Sequence, residues 1–398
     1  MKYIVMLADG AADEPIESLG GRTPLEAAKT PTLDWYSERG EIGMVATIPE
    51  GMAPGSDTAN LSVIGYNPRD YYTGRSPLEA LSIGVPMKDT DIALRANLVT
   101  LSEDETEYED RTIIDHSSSE IDTKDAAVLL KACSDVLADD EHSFYTGTSY
   151  RHCLIRANGK VMELIPPHDV LGQKIGPYLP VDEKLREMMK KSYEILVDHP
   201  LNIERKKAGL NPANSLWFWG AGTKPSLTSF EERYHKKGLM ISAVDLLKGI
   251  AVGIGMDTVN VEGANGGLNT NYEGKAEAAI DALLNKGYDL AYIHLEAPDE
   301  MGHQGSAERK VLSIENMDSK MLARIREKME GTDYRIIVLP DHPTPVRLRT
   351  HVAYPVPYMI YDSTKEQQQS WHYNEREAAK SGCRISKGWE MMDYFLER

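Results

Sequence analysis

Tyr334-Arg335-Ile336-Ile337-Val338-Leu339-Pro340-Asp341-His342 is the most informative segment in this chain of 398 residues. Four consecutive apolar residues, three of them β-branched, predict a strand buried on both faces, and Pro340 ends it just before an acid and an imidazole. In an open α/β sheet, ligands bind at the carboxyl edge of the parallel strands. Asp341 and His342 are therefore delivered to that edge by a rigid element. Two other stretches repeat the pattern. Tyr3-Ile4-Val5-Met6-Leu7-Ala8-Asp9 is an apolar run ending in an acid, and Leu290-Ala291-Tyr292-Ile293-His294-Leu295 is followed by Asp299 and His303. Three predicted strands thus end in groups able to hold a metal.

Between them the chain keeps an α/β rhythm at both ends. Thr30-Pro31-Thr32-Leu33 predicts a helix start with Pro31 in its first turn. Residues 44–48 read as a second strand, and residues 60–64 continue a short helix that stops at Gly65 and has Ser56 at its entrance. From about residue 87 the pattern changes to an α+β module. It has strands at 92–101 and 152–156, helices at 125–137 and 182–197, and a strand at 215–219 that ends in a glycine-rich turn. The α/β pattern then resumes with a strand at 239–243, helices at 244–254, 275–285 and 308–329, and a last strand at 356–361. The chemistry-bearing strands lie at both ends, so the expected organisation is one core from residues 1–86 and 228–398, interrupted by an inserted module at 87–227.

Composition narrows the function. With 41% hydrophobic and 27% charged residues the chain suits a soluble globular protein, and no apolar run approaches a membrane span. A net charge of −18 argues against a nucleic-acid surface, which needs concentrated Lys and Arg. The acidic run from Glu103 to Asp110 reads as a solvated loop. Cys133, Cys153 and Cys383 are few, odd in number and far apart, which fits reduced thiols. With no signal-peptide pattern before the first strand, the expected compartment is the cytoplasm.

Asp9, Asp299, His303, Asp341, His342 and His351 are all carboxylates or imidazoles, enough for two ions, and the mix suits Mn²⁺, Zn²⁺ or Mg²⁺. Asp299 and His303 are four apart, so a helical turn after Pro298 brings them to one face. A two-metal site of this kind stabilises the attacking and leaving oxygens of phosphoryl transfer and needs a nucleophile. Ser56, between Gly55 and Asp57 at a helix start, offers a hydroxyl for that role and amides that can face a phosphate; it could also be a simple N-cap.

Ala8-Asp9-Gly10, the run from Pro54 through Ser56 to Tyr66, Glu296-Ala297-Pro298-Asp299-Glu300-Met301-Gly302-His303 and Asp341-His342-Pro343-Thr344-Pro345 closely resemble the archaeal-type cofactor-independent phosphoglycerate mutases of the alkaline phosphatase superfamily. The resemblance runs through nearly the whole chain. It implies a three-layer core with a central, mostly parallel sheet and an inserted α+β lid. It further implies that Asp9, Ser56, Asp341 and His342 hold one divalent ion and Asp299, His303 and His351 the other. Mn²⁺ would be first choice, with Mg²⁺, Zn²⁺ or Co²⁺ as alternatives and no 2,3-bisphosphoglycerate. Ser56 would take the phosphoryl group from 3-phosphoglycerate and return it to give 2-phosphoglycerate. Arg151, His152 and Lys248 are the candidate substrate-binding cations. The substrate-arginine motifs of the longer bacterial mutases have no clear match. Two other readings stay open: a homoserine kinase-like phosphotransferase, against which stands the absence of a Gly-x4-Gly-Lys-Ser/Thr loop, and a catalytically silent metal-binding scaffold. Oligomeric state is not legible.

Overall fold

In the computed structural model, which describes residues 1–397, the opening segment forms a strand whose every residue is buried. In chain order the strands are β1 (Lys2–Ala8), β2 (Glu41–Val45), β3 (Ile92–Leu101), β4 (Ile113–Asp115), β5 (His142–Thr148), β6 (Arg151–Arg156), β7 (Ser215–Thr223), β8 (Gly238–Ile241), β9 (Asp257–Val259), β10 (Leu290–Leu295), β11 (Tyr334–Leu339), β12 (Val356–Asp362) and β13 (Arg384–Ile385). The chain divides into two compact units: Thr73–Ser226, and the residues on either side of it.

The first unit is built on an eight-stranded sheet ordered β13-β2-β12-β11-β1-β10-β8-β9, in which β12 alone runs against the others. β1 sits between β10 and β11, with Ala8 opposite Leu295 and Leu7 opposite Leu339. The three strands singled out by sequence therefore end side by side. Alternation along β1 explains the layers. Ile4, Met6 and Ala8 face a core shared with Leu33, Tyr36, Ala279, Leu283, Ile314 and Met317 from three helices. On the opposite face Tyr3 meets Phe395 edge-on, and the hydroxyl of Tyr292 in β10 reaches Asn60 of the Ser56–Val63 helix. Helices on both faces leave the strands no polar side, which is why they read as unbroken apolar runs.

The second unit is a five-stranded sheet ordered β4-β3-β6-β5, with β7 also pairing β3, and all its pairings are antiparallel. β3 is buried along its full length because both faces are covered. One face packs on Leu129, Leu130, Leu185 and Met189 of the Thr123–Leu137 and Glu183–Leu196 helices. Ala93 on the other face joins Cys153, Ile155 and Ala80 of the Arg75–Ser82 helix.

Several boundaries differ from expectation for identifiable reasons. The inserted unit begins at Thr73 rather than 87, since Arg75–Ser82 packs on β3 and β7, and it ends at Ser226. β2 runs Glu41–Val45, not 44–48; the close packing of Gly43 against the Tyr358 ring interrupts the apolar pattern that would have shown the strand. β7 continues through the glycines to Thr223, where Gly222 has backbone and Pro77 too close to admit a Cβ. The long helix expected at 308–329 carries a π turn at Asp318–Leu322. That turn aims the buried Asp318 carboxylate at the amides of Thr32 and Leu33 (3.2 and 2.7 Å), which supplies the cap that Thr30 does not. The acidic stretch is a turn and a short 3₁₀ segment in which Tyr108 is buried, its hydroxyl 3.0 Å from Ser215 Oγ. Cys133, Cys153 and Cys383 are free. Among the described residues no helix is long and apolar enough to cross a membrane.

Because the second unit is one continuous segment with its own two-sided core, residues 73–226 produced alone should fold and melt in a single cooperative transition. Circular dichroism and thermal melting check this; a non-cooperative melt would show that its core depends on the first unit.

Candidate active site

Asp9 is the first residue past β1, and it is buried. Its Oδ2 is 2.9 Å from His294 Nε2 and 3.4 Å from Ser56 Oγ, while its Oδ1 has no hydrogen-bond partner. Burial, then the charges of Asp341 and Asp299, push the Asp9 carboxyl well above its ordinary range. An orphaned buried carboxylate oxygen among like charges is what a cation site looks like from the protein's side.

Ser56 is the first residue of its helix and not the cap: Gly55 holds that place, and the Thr58 amide of the first turn is met by Asp57 Oδ1 (2.8 Å). Its hydroxyl lies 3.2 Å from His342 Nε2. Asn60, one turn on, donates to the Ser56 carbonyl (2.8 Å) and to Asp341 Oδ2 (3.1 Å), and it accepts from Tyr292 (2.7 Å). The Ser56–Val63 helix is thereby fixed to the loop after β11. Asp341 Oδ1 accepts the amides of Gly10 (3.1 Å) and His342 (2.9 Å). Both of its oxygens thus have protein partners, while Oδ2 also stands 3.5 Å from His342 Nε2.

Asp299 and His303 lie on the helix Ala297–His303, as the spacing predicts. Asp299 Oδ2 is 3.2 Å from His303 Nε2, and Oδ1 is 3.5 Å from His351 Nε2. His303 Nδ1 is 2.9 Å from the Arg349 carbonyl and donates to it, which leaves Nε2 as the lone-pair nitrogen of the neutral ring. That nitrogen faces His351 Nε2 at 2.9 Å. Two ring nitrogens and a carboxylate converging this way fit a divalent ion. The candidate ligand sets are Asp299, His303 and His351, and Asp9, Asp299 and His342. Asp299 belongs to both, whereas the family resemblance implied it for one ion. Although burial would raise Asp299, hydrogen bonds from His303 and His351 hold it well below the carboxylate range. Asp299 in turn lifts His303 to about 9.

The sequence reading missed the residues that orient these groups. Thr344 Oγ1 donates to Asp299 Oδ1 and lies 3.3 Å from His342 Nδ1, so it can accept that ring's proton and turn His342 Nε2 toward Ser56 and Asp9. His294 sits between Asp9 and Ser242 Oγ (3.0 Å), and burial lowers its pKa to about 3. Gly10 has φ +63°, and a Cβ there would stand 2.6 Å from Asp299 Oδ1 and Thr344 Oγ1. Thr344 and Gly10 do fall inside the quoted motifs, where small and hydroxyl residues beside the ligands were the available signal.

The expected substrate cations divide. Arg151 is exposed in β6. His152 is buried, its Nδ1 accepts the Gly147 amide (3.2 Å), and burial lowers its pKa to about 4, so it is a neutral interior residue and not a cation. Lys248, on the helix Asp245–Gly253, is partly exposed and stands 3.8 Å from Asp245. Arg95, held by Glu79 at 2.6 Å over the Trp219 ring, is a second-unit cation that sequence did not single out.

A family model described as 2,3-bisphosphoglycerate-independent phosphoglycerate mutase matches residues 37–202. A protein of that name from Methanosarcina barkeri is 46% identical, covering 96% of this chain and 96% of its own. A probable 2,3-bisphosphoglycerate-independent phosphoglycerate mutase of Geobacter sulfurreducens is also 46% identical, with 100% of both chains covered. Among solved structures, the cofactor-independent phosphoglycerate mutase of Thermoplasma acidophilum matches with a TM-score of 0.67 at 28% identity, over 100% of this chain and 99% of that one.

Since His303 carries a proton below about pH 9 and must lose it to ligate, divalent-ion binding at its cluster should release a proton. Apparent Mn²⁺ affinity should therefore rise by up to about tenfold per pH unit between pH 7 and 9. Calorimetry in buffers of different ionisation enthalpy checks this; binding without proton release would remove His303 from the ligand set.

Proposed function

Given that the chain belongs to the 2,3-bisphosphoglycerate-independent phosphoglycerate mutase family, we propose that it interconverts 3-phosphoglycerate and 2-phosphoglycerate through a phosphoserine at Ser56. The observation that carries this is the Ser56 hydroxyl standing against Asp9 and His342, where the orphaned Asp9 oxygen faces the ligand set it shares with Asp299. The bisphosphoglycerate independence in the family's name supports a route in which the protein itself holds the phosphoryl group.

Asp9, Asp341 and His342 with Ser56, and Asp299, His303 and His351, are the residues that would hold two divalent ions, Asp299 being within reach of both sets, with Mn²⁺ our first choice over Mg²⁺, Zn²⁺ or Co²⁺. Bound there, such ions supply the positive charge that makes a serine hydroxyl nucleophilic and neutralises phosphoryl oxygens. Ser56 Oγ bonds to phosphorus as the bond to the substrate's 3-oxygen breaks. The 2-hydroxyl then attacks the phosphoserine and frees Ser56, so the proton given up by the 2-hydroxyl balances the one gained at the 3-oxygen. Amides in the first turn of the Ser56–Val63 helix favour the phosphate's charge. The backbone and side-chain bonds of Asn60 keep the nucleophile in register with the Asp341 loop while the group is held.

A phosphoserine survives long enough to be returned only if water is kept from it. We propose Arg151 and Lys248 as the cations that meet the substrate's negative charge. The unpaired cysteines support a reducing compartment, the cytoplasm.

Mn²⁺-reconstituted protein should convert 3-phosphoglycerate with neither nucleotide nor bisphosphoglycerate added. Ser56→Ala should keep the fold and bound metal yet lose turnover by at least about 10⁴-fold. Retained turnover would remove Ser56 from the mechanism. A strict need for ATP and homoserine would instead support the kinase reading, and metal binding with neither activity would leave a scaffold.

A further inference from the structure

Lys310 is among the largest fully buried side chains of the protein, in the helix Ala307–Met317. Its ammonium makes three hydrogen bonds: to the carbonyl of Ala12 (3.2 Å), to Asp13 Oδ2 (2.7 Å) and to the carbonyl of Thr344 (2.9 Å). An ammonium has three protons, so its donors are fully used. Each partner lies on a segment that carries candidate ligands. Ala12 and Asp13 follow Asp9 in the loop after β1, and Thr344 follows Asp341 and His342 in the loop after β11. Lys310's own helix packs against Ala297–His303, which carries Asp299 and His303. Asp13 completes the link: Oδ2 also accepts the amide of Val346 (3.1 Å), and its own amide donates to Glu375 Oε1 (3.0 Å).

A buried ion pair contributes little net stability compared with apolar residues of the same volume, so stability alone does not account for one here. We propose that Lys310, paired with Asp13, is a positioning residue that fixes the spacing of the three ligand-bearing segments and hence the separation of the two metal ions. It touches neither substrate nor metal. The loops after β1 and β11 are irregular backbone joined by the Ala11 and Ala12 bridges to Pro343; Thr344 bonds the second loop to Asp299, and the ammonium ties both loops to the helix that packs on Ala297–His303. Lysine suits this role because a compact ammonium points its three donors out of one plane, whereas the five donors of a guanidinium all lie in one plane.

The inference rests on the two-ion reading, and the test separates them. Wild-type protein is loaded with two equivalents of Mn²⁺, and the stepwise affinities and the exchange-coupled electron paramagnetic resonance signal of the ion pair are recorded. Lys310→Met should weaken the second equivalent at least tenfold and replace the coupled signal by that of isolated ions, in protein whose circular dichroism shows it folded. Asp13→Asn keeps the acceptor oxygen and should shift both readouts in the same direction by a smaller factor; it carries the test alone if Lys310→Met does not fold. Lower melting temperatures with unchanged Mn²⁺ affinities and coupling would overturn the proposal and leave Lys310 a purely structural ion pair. A wild-type protein that binds no coupled pair would overturn the two-ion reading itself, and this inference with it.

Discussion

Three carboxylates, Asp9, Asp299 and Asp341, are buried at the end of three adjacent parallel strands, and the rest of the site exists to make that tolerable. Like charges so placed cost several kcal/mol unless something positive joins them. The protein answers differently at each. Asp341 is saturated by two amides and Asn60, and Asp299 is paired with two imidazoles and a threonine hydroxyl. Asp9 receives His294 on one oxygen and nothing on the other. Its raised pKa follows, and so does the sign of its effect on stability. Without a cation, Asp9's contribution to folding is fully favourable only below its unfolded pKa and is lost as pH rises through the folded one. A divalent ion reverses that loss, so the site and the stability of the fold are linked through one oxygen atom.

The neutral groups around this centre give its asymmetry direction. β10 places Tyr292 and His294 two residues apart, on one face of the sheet; Tyr292 supports Asn60 and so the Ser56–Val63 helix, and His294 supports Asp9. The Arg349 carbonyl and Thr344 select the tautomers of His303 and His342, in each case turning Nε2 inward. The two imidazoles are thus oriented by groups that carry no charge, while the charged Lys310–Asp13 pair acts further out, on the segments.

Most of the core was legible because both faces of its sheet are covered. Buried parallel strands advertise themselves as apolar runs, and the acids and imidazoles after them stand out against that background, as at Asp9, Asp299 and Asp341. Residues that act through shape or a single hydrogen bond do not stand out. Thr344, Asn60 and Ser242 have common side chains whose roles depend on partners distant in sequence, and Lys310 resembles any helical lysine until its burial is known. His152 misled for the converse reason: beside Arg151 it looked like part of a basic pair, yet in a strand neighbours point to opposite faces, and its face is the interior. The inserted unit's boundary slipped because Arg75–Ser82 has the amphipathic pattern of a helix that either core could have buried.

Ser56 shows how the local rules are broken where chemistry needs it. A serine at a helix start ordinarily accepts an amide of the first turn, which stabilises the helix by about 1 kcal/mol. Here Gly55 takes the cap position with no side chain to offer, and Ser56 moves one residue into the helix. Its hydroxyl is released from capping and turned to Asp9 and His342. Gly55 gives the helix end no cap; Asp57 accepts the Thr58 amide in its place, and Asn60 bonds the Ser56 carbonyl and Asp341 together. A serine at position 55 would be placed to cap; at 56 its hydroxyl is placed against Asp9 and His342, and the difference is one residue of register.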